Sequence, residues 1–184
     1  MNTVQPIREM VVVEGIQHYL KQRNERNFVM FCLGIYTGLR ISDILNLQVR
    51  DVRDKDHIYL REIKTGKLKS LAINPELKRI LKPYIKDKEN HEFLVPSRKG
   101  KNKPINREQA YRILKEVAEH FDLERIGTHT LRKTFGYHFH KMTNNSEMLR
   151  EIFNHADVSI TRKYIGIEQD TIDQAISKMK FSSR

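Results

Sequence analysis

Cysteine is almost absent from this chain, since Cys32 is the only one among 184 residues. A single thiol excludes an intrachain disulfide framework and cannot by itself build a thiolate zinc site. The residues around Cys32 are apolar, so we expect a small core residue rather than a nucleophile. A reducing compartment suits a chain with so few thiols.

Apolar stretches of membrane-spanning length are also missing, and Arg8 and Glu9 come too early for a signal-peptide core. These absences predict a cytoplasmic protein without a membrane partner. The chain shows no internal repeat and no low-complexity segment. Its length of 184 residues suits one domain, or one with a short appendage, built around a single core.

Acidic residues are few relative to basic ones, with 23 Asp and Glu against 34 Lys and Arg. A net charge of +11 and a pI near 9.8 indicate a polyanionic partner, most often nucleic acid. The simpler alternative is a soluble protein that is merely basic. The segment 97–104 is predicted to be an exposed basic loop.

Apolar residues recur at helical spacing through most of the chain. The segments with this pattern are 12–20, 28–35, 40–45, 77–85, 110–121, 131–142, 146–153 and 172–179. Two β-rich runs, 57–63 and 68–73, flank a turn with a central glycine and predict one hairpin. The segment 49–52 is expected to be extended. The predicted fold class is therefore mainly α with a small antiparallel β-sheet (α+β).

Two arginines are placed to act on a phosphate. Arg40 follows Gly38 at a predicted tight turn, and Arg132 stands three positions after His129, on one face of a helix if both are helical. Planar guanidinium groups can clamp a phosphate, and a histidine can move its protons. Other roles stay open: an ion pair of Arg40 with Asp43 or another carboxylate, a surface role for Arg132, and a helix cap for His129.

A histidine and a tyrosine stand nine positions apart, at His155 and Tyr164. A tyrosine hydroxyl can attack phosphorus, but its normal pKa of about 10 means that it needs a base or positive surroundings. Tyr164 could instead be an aromatic residue at the edge of the core. The other tyrosines eligible by residue type are Tyr19, Tyr36, Tyr59, Tyr84, Tyr111 and Tyr137.

In this order, from about residue 11 to about 178, these motifs resemble the catalytic domain of the tyrosine recombinases, the family of phage and mobile-element integrases. The match lies in the Thr-Gly-Leu-Arg sequence that ends at Arg40, the box from His129 to Arg132, and the spacing of His155 and Tyr164. The family commonly has Leu-Gly before the second histidine, where this chain has Phe-Asn. Asn154 is expected to keep the turn, because Asn adopts the left-handed conformation.

The resemblance implies a role for each motif residue. Arg40, His129, Arg132, His155 and Tyr164 would be catalytic.

Asp43 would orient its neighbouring catalytic residues without contacting the phosphate itself. Lys64, in the hairpin turn, looks like the mobile lysine that protonates the leaving 5′ oxygen, with Lys67 and Lys69 as competitors. The cations expected to contact DNA are Lys67, Arg98, Lys99, Lys101, Lys103 and Arg162.

The resemblance also implies an activity: a site-specific recombinase or integrase that cuts and rejoins double-stranded DNA through a covalent 3′-phosphotyrosyl intermediate, with no metal or other cofactor. The alternatives are a type IB topoisomerase-like enzyme and a catalytically silent DNA-binding module of the same fold. We expect a monomer when free and a homotetramer on DNA in a synaptic complex. An apolar stripe after the nucleophile would then dock on a neighbouring subunit; its residues are Ile172, Ala175, Ile176 and Met179.

Residues 1–10 are expected to be an N-terminal segment or linker and residues 11–184 the catalytic domain. The clamp or arm-binding domains of the family do not fit in front of residue 11. The chain would then be either a catalytic piece of a longer protein or a stand-alone form.

Overall fold

The computed structural model describes residues 4–180, which divide into two compact units at Phe135 and Gly136. Unit 1 ends at Phe135 and unit 2 begins at Gly136. The described α-helices are α1 (Met10–Arg23), α2 (Glu25–Thr37), α3 (Ile41–Leu45), α4 (Pro75–Tyr84), α5 (Arg107–His120), α6 (Thr130–Thr143), α7 (Ser146–Phe153), α8 (Val158–Ile165) and α9 (Ile167–Ser177). Two strands, β1 (His57–Arg61) and β2 (Leu68–Ala72), form one antiparallel sheet. The predicted fold class is confirmed.

Helix α2 is the centre of unit 1. It packs against α1, α3 and α4, and its residues 29–33 are all 0% exposed. A helix that is apolar on every side belongs inside a core. Burial raises the pKa of the Cys32 thiol to about 12, so this cysteine is an inert core residue, as predicted.

The predicted hairpin is present and carries a turn at its tip. Tyr59 lies opposite Ser70, and Gly66 occupies the left-handed region at φ 68°. Ile58 is fully buried and Leu60 is partly buried, so alternate residues of β1 face the core. The packing of the sheet on the core thereby determines from which side of unit 1 the turn between β1 and β2 projects.

One local prediction is wrong, since residues 49–52 are not extended. Val49–Asp51 forms a 3₁₀ turn, because the Asp51 carboxylate accepts a hydrogen bond from the Gln48 backbone N–H at 2.8 Å. This closure outweighs the β-preference of the valines. Asn74 and Asn106 are the N-caps of α4 and α5, since each side chain accepts a backbone N–H of the helix that it starts.

Unit 2 is a set of short helices. Helix α7 packs on α8, and α8 packs on α9. A Cβ at Gly136 would lie 2.7 Å from Ile165 and 2.8 Å from Phe153, so only glycine lets these elements approach so closely. Asn154 ends α7 with φ 58° and ψ 39°, which confirms the left-handed turn predicted there.

The predicted apolar stripes of unit 2 differ from the structure at their C-terminal ends. Met142 lies on α6 but is 77% exposed. Met179 lies beyond the end of α9, and Ile172 and Ile176 are 50% and 60% exposed. Among residues 4–180, no helix combines the length and the apolar character needed to cross a bilayer.

The expected division at residues 10 and 11 stays a prediction, and its outer limits, residues 1–3 and 181–184, lie outside the described residues. Within unit 1 the segment before α1 is anchored. Ile7 is 4% exposed and donates its backbone N–H to Thr134 Oγ1 at 2.9 Å, while Gln5 donates to the Arg125 carbonyl.

Candidate active site

Arg40 is set by the turn that ends α2. Gly38 has φ 62°, and a Cβ there would collide with the Phe135 ring, so the position requires glycine twice over. The Thr37 hydroxyl donates to the Leu33 carbonyl at 2.5 Å and closes the last helical turn. Arg40 then becomes the N-cap of α3, with extended backbone. The Thr-Gly-Leu-Arg sequence thus determines the position of Arg40.

Arg40 has a carboxylate partner, but this partner is not Asp43. Its Nη1 lies 2.8 Å from Glu62 Oε1, in an ion pair that links α3 to the hairpin. Asp43 is 4% exposed and accepts the Ile63 backbone N–H at 2.9 Å. Burial raises the pKa of Asp43, against the effect of the Ile63 N–H, and the nearby Glu62 charge adds to the rise.

Arg132 is a buried residue of α6, which excludes the surface role left open by the sequence. It is 2% exposed, and its Nη1 donates to the Gly38 carbonyl at 2.6 Å. The same turn therefore places Arg40 through its backbone and receives Arg132. A buried cation of this kind is costly unless anions or carbonyls meet it.

His129 immediately precedes α6, and its carbonyl accepts the Lys133 N–H at 3.0 Å. Burial lowers the pKa of the imidazole, and the charges of Arg107 and Arg132 lower it further. The neutral form of His129 is therefore favoured. The neutral imidazole is the form that can accept a proton.

The hairpin lysines lie in contrasting surroundings. Lys64 and Lys67 are exposed in and beside the turn, whereas the Lys69 side chain is only 10% exposed. Lys69 Nζ lies 3.4 Å from Glu62 Oε1. Burial lowers the pKa of Lys69, and the charge of Arg132 adds to this effect. Of the three candidates, Lys69 has the desolvated ammonium group, while Lys64 has the freedom that a mobile acid needs.

Sequence reasoning missed Glu62. This residue is 1% exposed and lies between Arg40 and Lys69. A signal was present, because Ile58, Leu60 and Glu62 alternate along the predicted β-rich run 57–63, and the third inward position carries a charge. A carboxylate at an inward strand position indicates a buried cation opposite it.

Unit 2 holds the histidine and the tyrosine that stand nine positions apart. Their ring centroids are 5.3 Å apart at an interplanar angle of 78°, and the Phe153 ring contacts both. The His155 Nδ1 lies 2.9 Å from Thr161 Oγ1, which orients the imidazole. Tyr164 is half-buried on α8, which Asp157 caps at its N-terminus. Tyr164 is thus packed against a histidine whose ring is oriented by Thr161, a residue of the same helix as Tyr164.

The predicted basic loop is exposed and closed at its base. Ser97 donates its backbone N–H to the Lys103 carbonyl at 2.7 Å, and Ile105 donates to Val95 at 3.0 Å. The exposed cations of this loop are Arg98, Lys99, Lys101 and Lys103. Arg162, on α8 of unit 2, is also exposed.

The predicted site residues fall into two groups. In unit 1 direct contacts connect Arg40, Glu62 and Lys69, and Arg132 shares the Gly38 turn with Arg40. His155 and Tyr164 belong to unit 2. The first group can neutralise and hold an anion, and the second offers a nucleophile beside an imidazole. Within residues 4–180, no three His, Cys, Asp or Glu side chains cluster as metal ligands.

A sequence model of the phage integrase family matches residues 9–170, which is most of the chain. The chain belongs to this family. Its relatives are named as integrases, recombinases and tyrosine recombinases. The resemblance inferred from the motifs is therefore confirmed, and the chain is a tyrosine recombinase by family.

One relative matches almost end to end. The chain is 48% identical over 171 residues to a Bacillus subtilis (strain 168) protein named "Probable integrase/recombinase YoeC", which covers 93% of this chain and 94% of that protein. It is 27% identical over 158 residues to the tyrosine recombinase XerA of Pyrococcus furiosus, covering 84% of this chain and 54% of XerA. The chain thus spans about half the length of that archaeal relative.

Solved structures show the same fold at lower identity. A crystal structure of XerA recombinase matches 97% of this chain and 68% of its own, with a TM-score of 0.75 and 18% identity. The XerH recombinase bound to palindromic difH substrate matches 96% of this chain and 54% of its own, with a TM-score of 0.74 and 17% identity.

Proposed function

We propose that this recombinase cuts and rejoins double-stranded DNA at specific sites, with Tyr164 as the nucleophile. One observation carries the proposal: a chain of this family has in unit 1 a buried arginine and a partly buried one, both anchored, and in unit 2 a tyrosine in ring contact with a histidine. A phosphodiester is anionic, so attack on it requires fixed cationic donors as well as a nucleophile. In this chain the two arginines can supply the donors, and Tyr164 can supply the nucleophile.

In the proposed reaction the Tyr164 oxygen attacks the scissile phosphorus and forms a 3′-phosphotyrosyl bond, while the bond to the 5′ oxygen breaks. The tyrosine proton passes to a base, for which the neutral His129 is suited. Lys64 gives a proton to the departing 5′ oxygen. A 5′ hydroxyl of a partner strand then reverses the step. One phosphodiester bond replaces another, so no nucleotide is consumed.

The remaining residues of the motif act on charge and position. Arg40 and Arg132 hold the non-bridging oxygens of the phosphate, and Asp43 fixes the hairpin against α3 through Ile63. His155 donates a hydrogen bond to the same phosphate. The exposed cations Lys67 and Arg162 contact the DNA backbone together with the basic loop.

The proposed partner is double-stranded DNA, and XerH, which has the related fold, is bound to its palindromic difH substrate in its own crystal structure. We further propose a monomer in free solution and a homotetramer on DNA. The apolar face of α9 supports this assembly, because Ile172 and Ile176 are exposed and a short helix needs a partner for its apolar face. The double variant Ile172→Glu, Ile176→Glu should bind a single duplex as wild type does. It should not form the synaptic complex with two duplexes, which sedimentation velocity detects. An unchanged synaptic complex would contradict this assembly.

The test of function is a covalent-adduct assay. A pool of nicked suicide duplexes with a randomised core, labelled on the strand to be cut, is incubated with the full chain. We expect a detergent-resistant protein-DNA adduct, with the nucleotide placed on Tyr164 by mass spectrometry of tryptic peptides. Sequencing the captured duplexes would then define the DNA site.

The same assay separates the alternatives. A silent DNA-binding module would shift the duplexes in a gel and give no adduct. A topoisomerase would relax a supercoiled plasmid lacking the selected site as fast as one carrying it. Formation of the adduct on a selected sequence, with relaxation confined to plasmids that contain it, supports the recombinase.

A further inference from the structure

Glu62 follows β1 and is buried to 1% exposure, yet the reaction described above gives it no role. Its two carboxylate oxygens have different partners. Oε1 contacts Arg40 Nη1 at 2.8 Å and Lys69 Nζ at 3.4 Å. Oε2 accepts the hydroxyl of Thr65 at 2.7 Å. One carboxylate therefore joins three elements: the start of α3, strand β2, and the turn that carries Lys64.

The backbone of Glu62 closes the same turn. Its N–H donates to the Lys67 carbonyl at 2.9 Å, and its carbonyl accepts the Gly66 N–H at 2.8 Å. The next residue, Ile63, donates its N–H to Asp43. The turn is thus tied to α3 by two links, one ionic through Glu62 and one hydrogen bond through Asp43.

Electrostatics keep this carboxylate charged. Burial alone would raise the pKa of Glu62, but the Thr65 hydroxyl and the cations Arg40 and Lys69 outweigh it and lower the value to about 2. The Glu62 charge in turn opposes the lowering of the Lys69 pKa that burial and Arg132 cause.

The described charged groups that face the Glu62–Lys69 pair are Arg40, Arg132 and Asp43. Burial raises the pKa of Asp43, whereas that of Glu62 is lowered. Glu62 is therefore the carboxylate that more firmly keeps its negative charge beside the cations Arg40, Lys69 and Arg132. A reaction that needs rigid donors around a phosphate depends on such an anion, because three like charges would otherwise spread apart.

We propose that Glu62 is a positioning residue for DNA cleavage: its carboxylate holds the Arg40 guanidinium and the Lys69 ammonium toward the scissile phosphate and, through Thr65, sets the turn that carries Lys64. The inference rests on the proposed function. It adds Lys69 as a fixed cation beside Arg40, and it leaves proton donation to Lys64. Glu62 itself touches neither DNA nor the reacting atoms in this scheme.

Glu62→Gln tests the proposal, because it keeps the shape and removes the charge. Asp56→Asn is the matched control: it removes one exposed carboxylate, which is bound to Lys78 at the edge of the same hairpin. Both variants change the net charge equally, which matters for DNA affinity. We expect single-turnover cleavage by Glu62→Gln to fall on the order of a hundredfold, the cost of displacing positioned groups, with duplex affinity equal to that of the control.

The pH profile supplies a readout that a merely structural residue would not change. Without the Glu62 charge, the pKa of Lys69 falls further, so the ammonium group is lost at a lower pH. The alkaline limb of the cleavage rate should therefore move to lower pH in Glu62→Gln. Adding Lys69→Arg, whose charge does not titrate, should abolish this shift, so that no limb remains below its wild-type position.

Three results would overturn the proposal. Cleavage by Glu62→Gln at the rate of Asp56→Asn would remove Glu62 from the reaction. A rate that falls equally at every pH, together with duplex affinity and melting temperature, would show that Glu62 only stabilises the hairpin. A wild-type protein that forms no adduct would refute the proposed function, and this inference with it. An adduct with wild type but no effect in Glu62→Gln refutes the inference alone.

Discussion

The proposed anion-binding residues of unit 1 and the proposed nucleophile of unit 2 are held by contacts of different range. In unit 1 Arg132 reaches the Gly38 carbonyl across 94 positions of sequence, and Asp43 reaches Ile63 across 20. In unit 2 the Thr161 partner of His155 is 6 positions away. Arg132 and Asp43 therefore depend on tertiary packing for their positions, while local helix and cap geometry positions His155 and Tyr164. Changes at Tyr164 should consequently affect the proposed chemistry with little effect on stability.

Tyr164→Phe should give the largest effect, complete loss of the covalent adduct. The change removes the attacking oxygen and keeps the ring that contacts Phe153 and His155, so fold and duplex affinity should be preserved. Adduct formation is followed on a gel over the longest practical incubation. Tyr59→Phe, at a 66% exposed position, is the matched control and should react like wild type. Adduct at wild-type yield from Tyr164→Phe would assign the nucleophile to another tyrosine.

The hairpin lysines give the next largest effect. Lys64→Ala should slow cleavage about a hundredfold to ten-thousandfold if it removes the general acid. A bridging 5′-phosphorothiolate has a sulfur that leaves without protonation, so it should restore most of the rate. Lys69→Ala should slow both substrates alike, because Lys69 is assigned to holding charge. If the phosphorothiolate restored the rate of Lys69→Ala but not that of Lys64→Ala, Lys69 would be the general acid and Lys64 would hold charge.

Arg132→Lys tests whether the buried arginine of unit 1 acts in the transition state. The lysine keeps the charge but loses the planar fork, and losing one transition-state donor costs about 2.7 to 4 kcal/mol, or roughly a hundred- to a thousandfold in rate. Single-turnover cleavage should fall far more than duplex affinity. Arg79→Lys, on the exposed side of α4, serves as control. Equal losses of cleavage and affinity would mean that Arg132 only holds DNA.

Local sequence signals predicted α7 of unit 2 and the turn after it, but not α8, the helix that carries Tyr164. The left-handed turn at Asn154 followed from a residue type that tolerates positive φ, and the helix ending at Phe153 followed from apolar spacing. The exposure of the last stripe did not follow. Periodicity shows that Ile172 and Ile176 share a face, but it does not show whether this chain has anything to cover that face.

The contacts of unit 1 were less accessible to sequence reasoning. A carboxylate partner for Arg40 was considered, but its identity as Glu62 depends on how the hairpin lies against α3. The burial of Lys69 rather than Lys64 depends on the same packing. Long-range pairing of charged residues leaves no periodic signal in one sequence. The 3₁₀ turn at Val49 was missed for a different reason, since a single Asp51 side chain overrides the local β-preference.

The basic loop of unit 1 should give the smallest effect, one on affinity alone. Each neutralised phosphate contact contributes about 0.9 to the slope of log affinity against log salt. Replacing the loop cations by Gln should therefore flatten that slope by up to about 3.6 and leave the cleavage rate of bound DNA unchanged. The residues changed are Arg98, Lys99, Lys101 and Lys103.

The control for the loop removes the same four charges from elsewhere on unit 1. Its exposed residues, again one arginine and three lysines, are Lys55, Arg79, Lys82 and Lys86. Titrations by fluorescence anisotropy at several salt concentrations give the slope for each variant. Because both variants have the same net charge, a general loss of electrostatic attraction would flatten both slopes equally. A larger flattening in the loop variant would place the loop on the DNA backbone, and equal slopes would place it away from DNA.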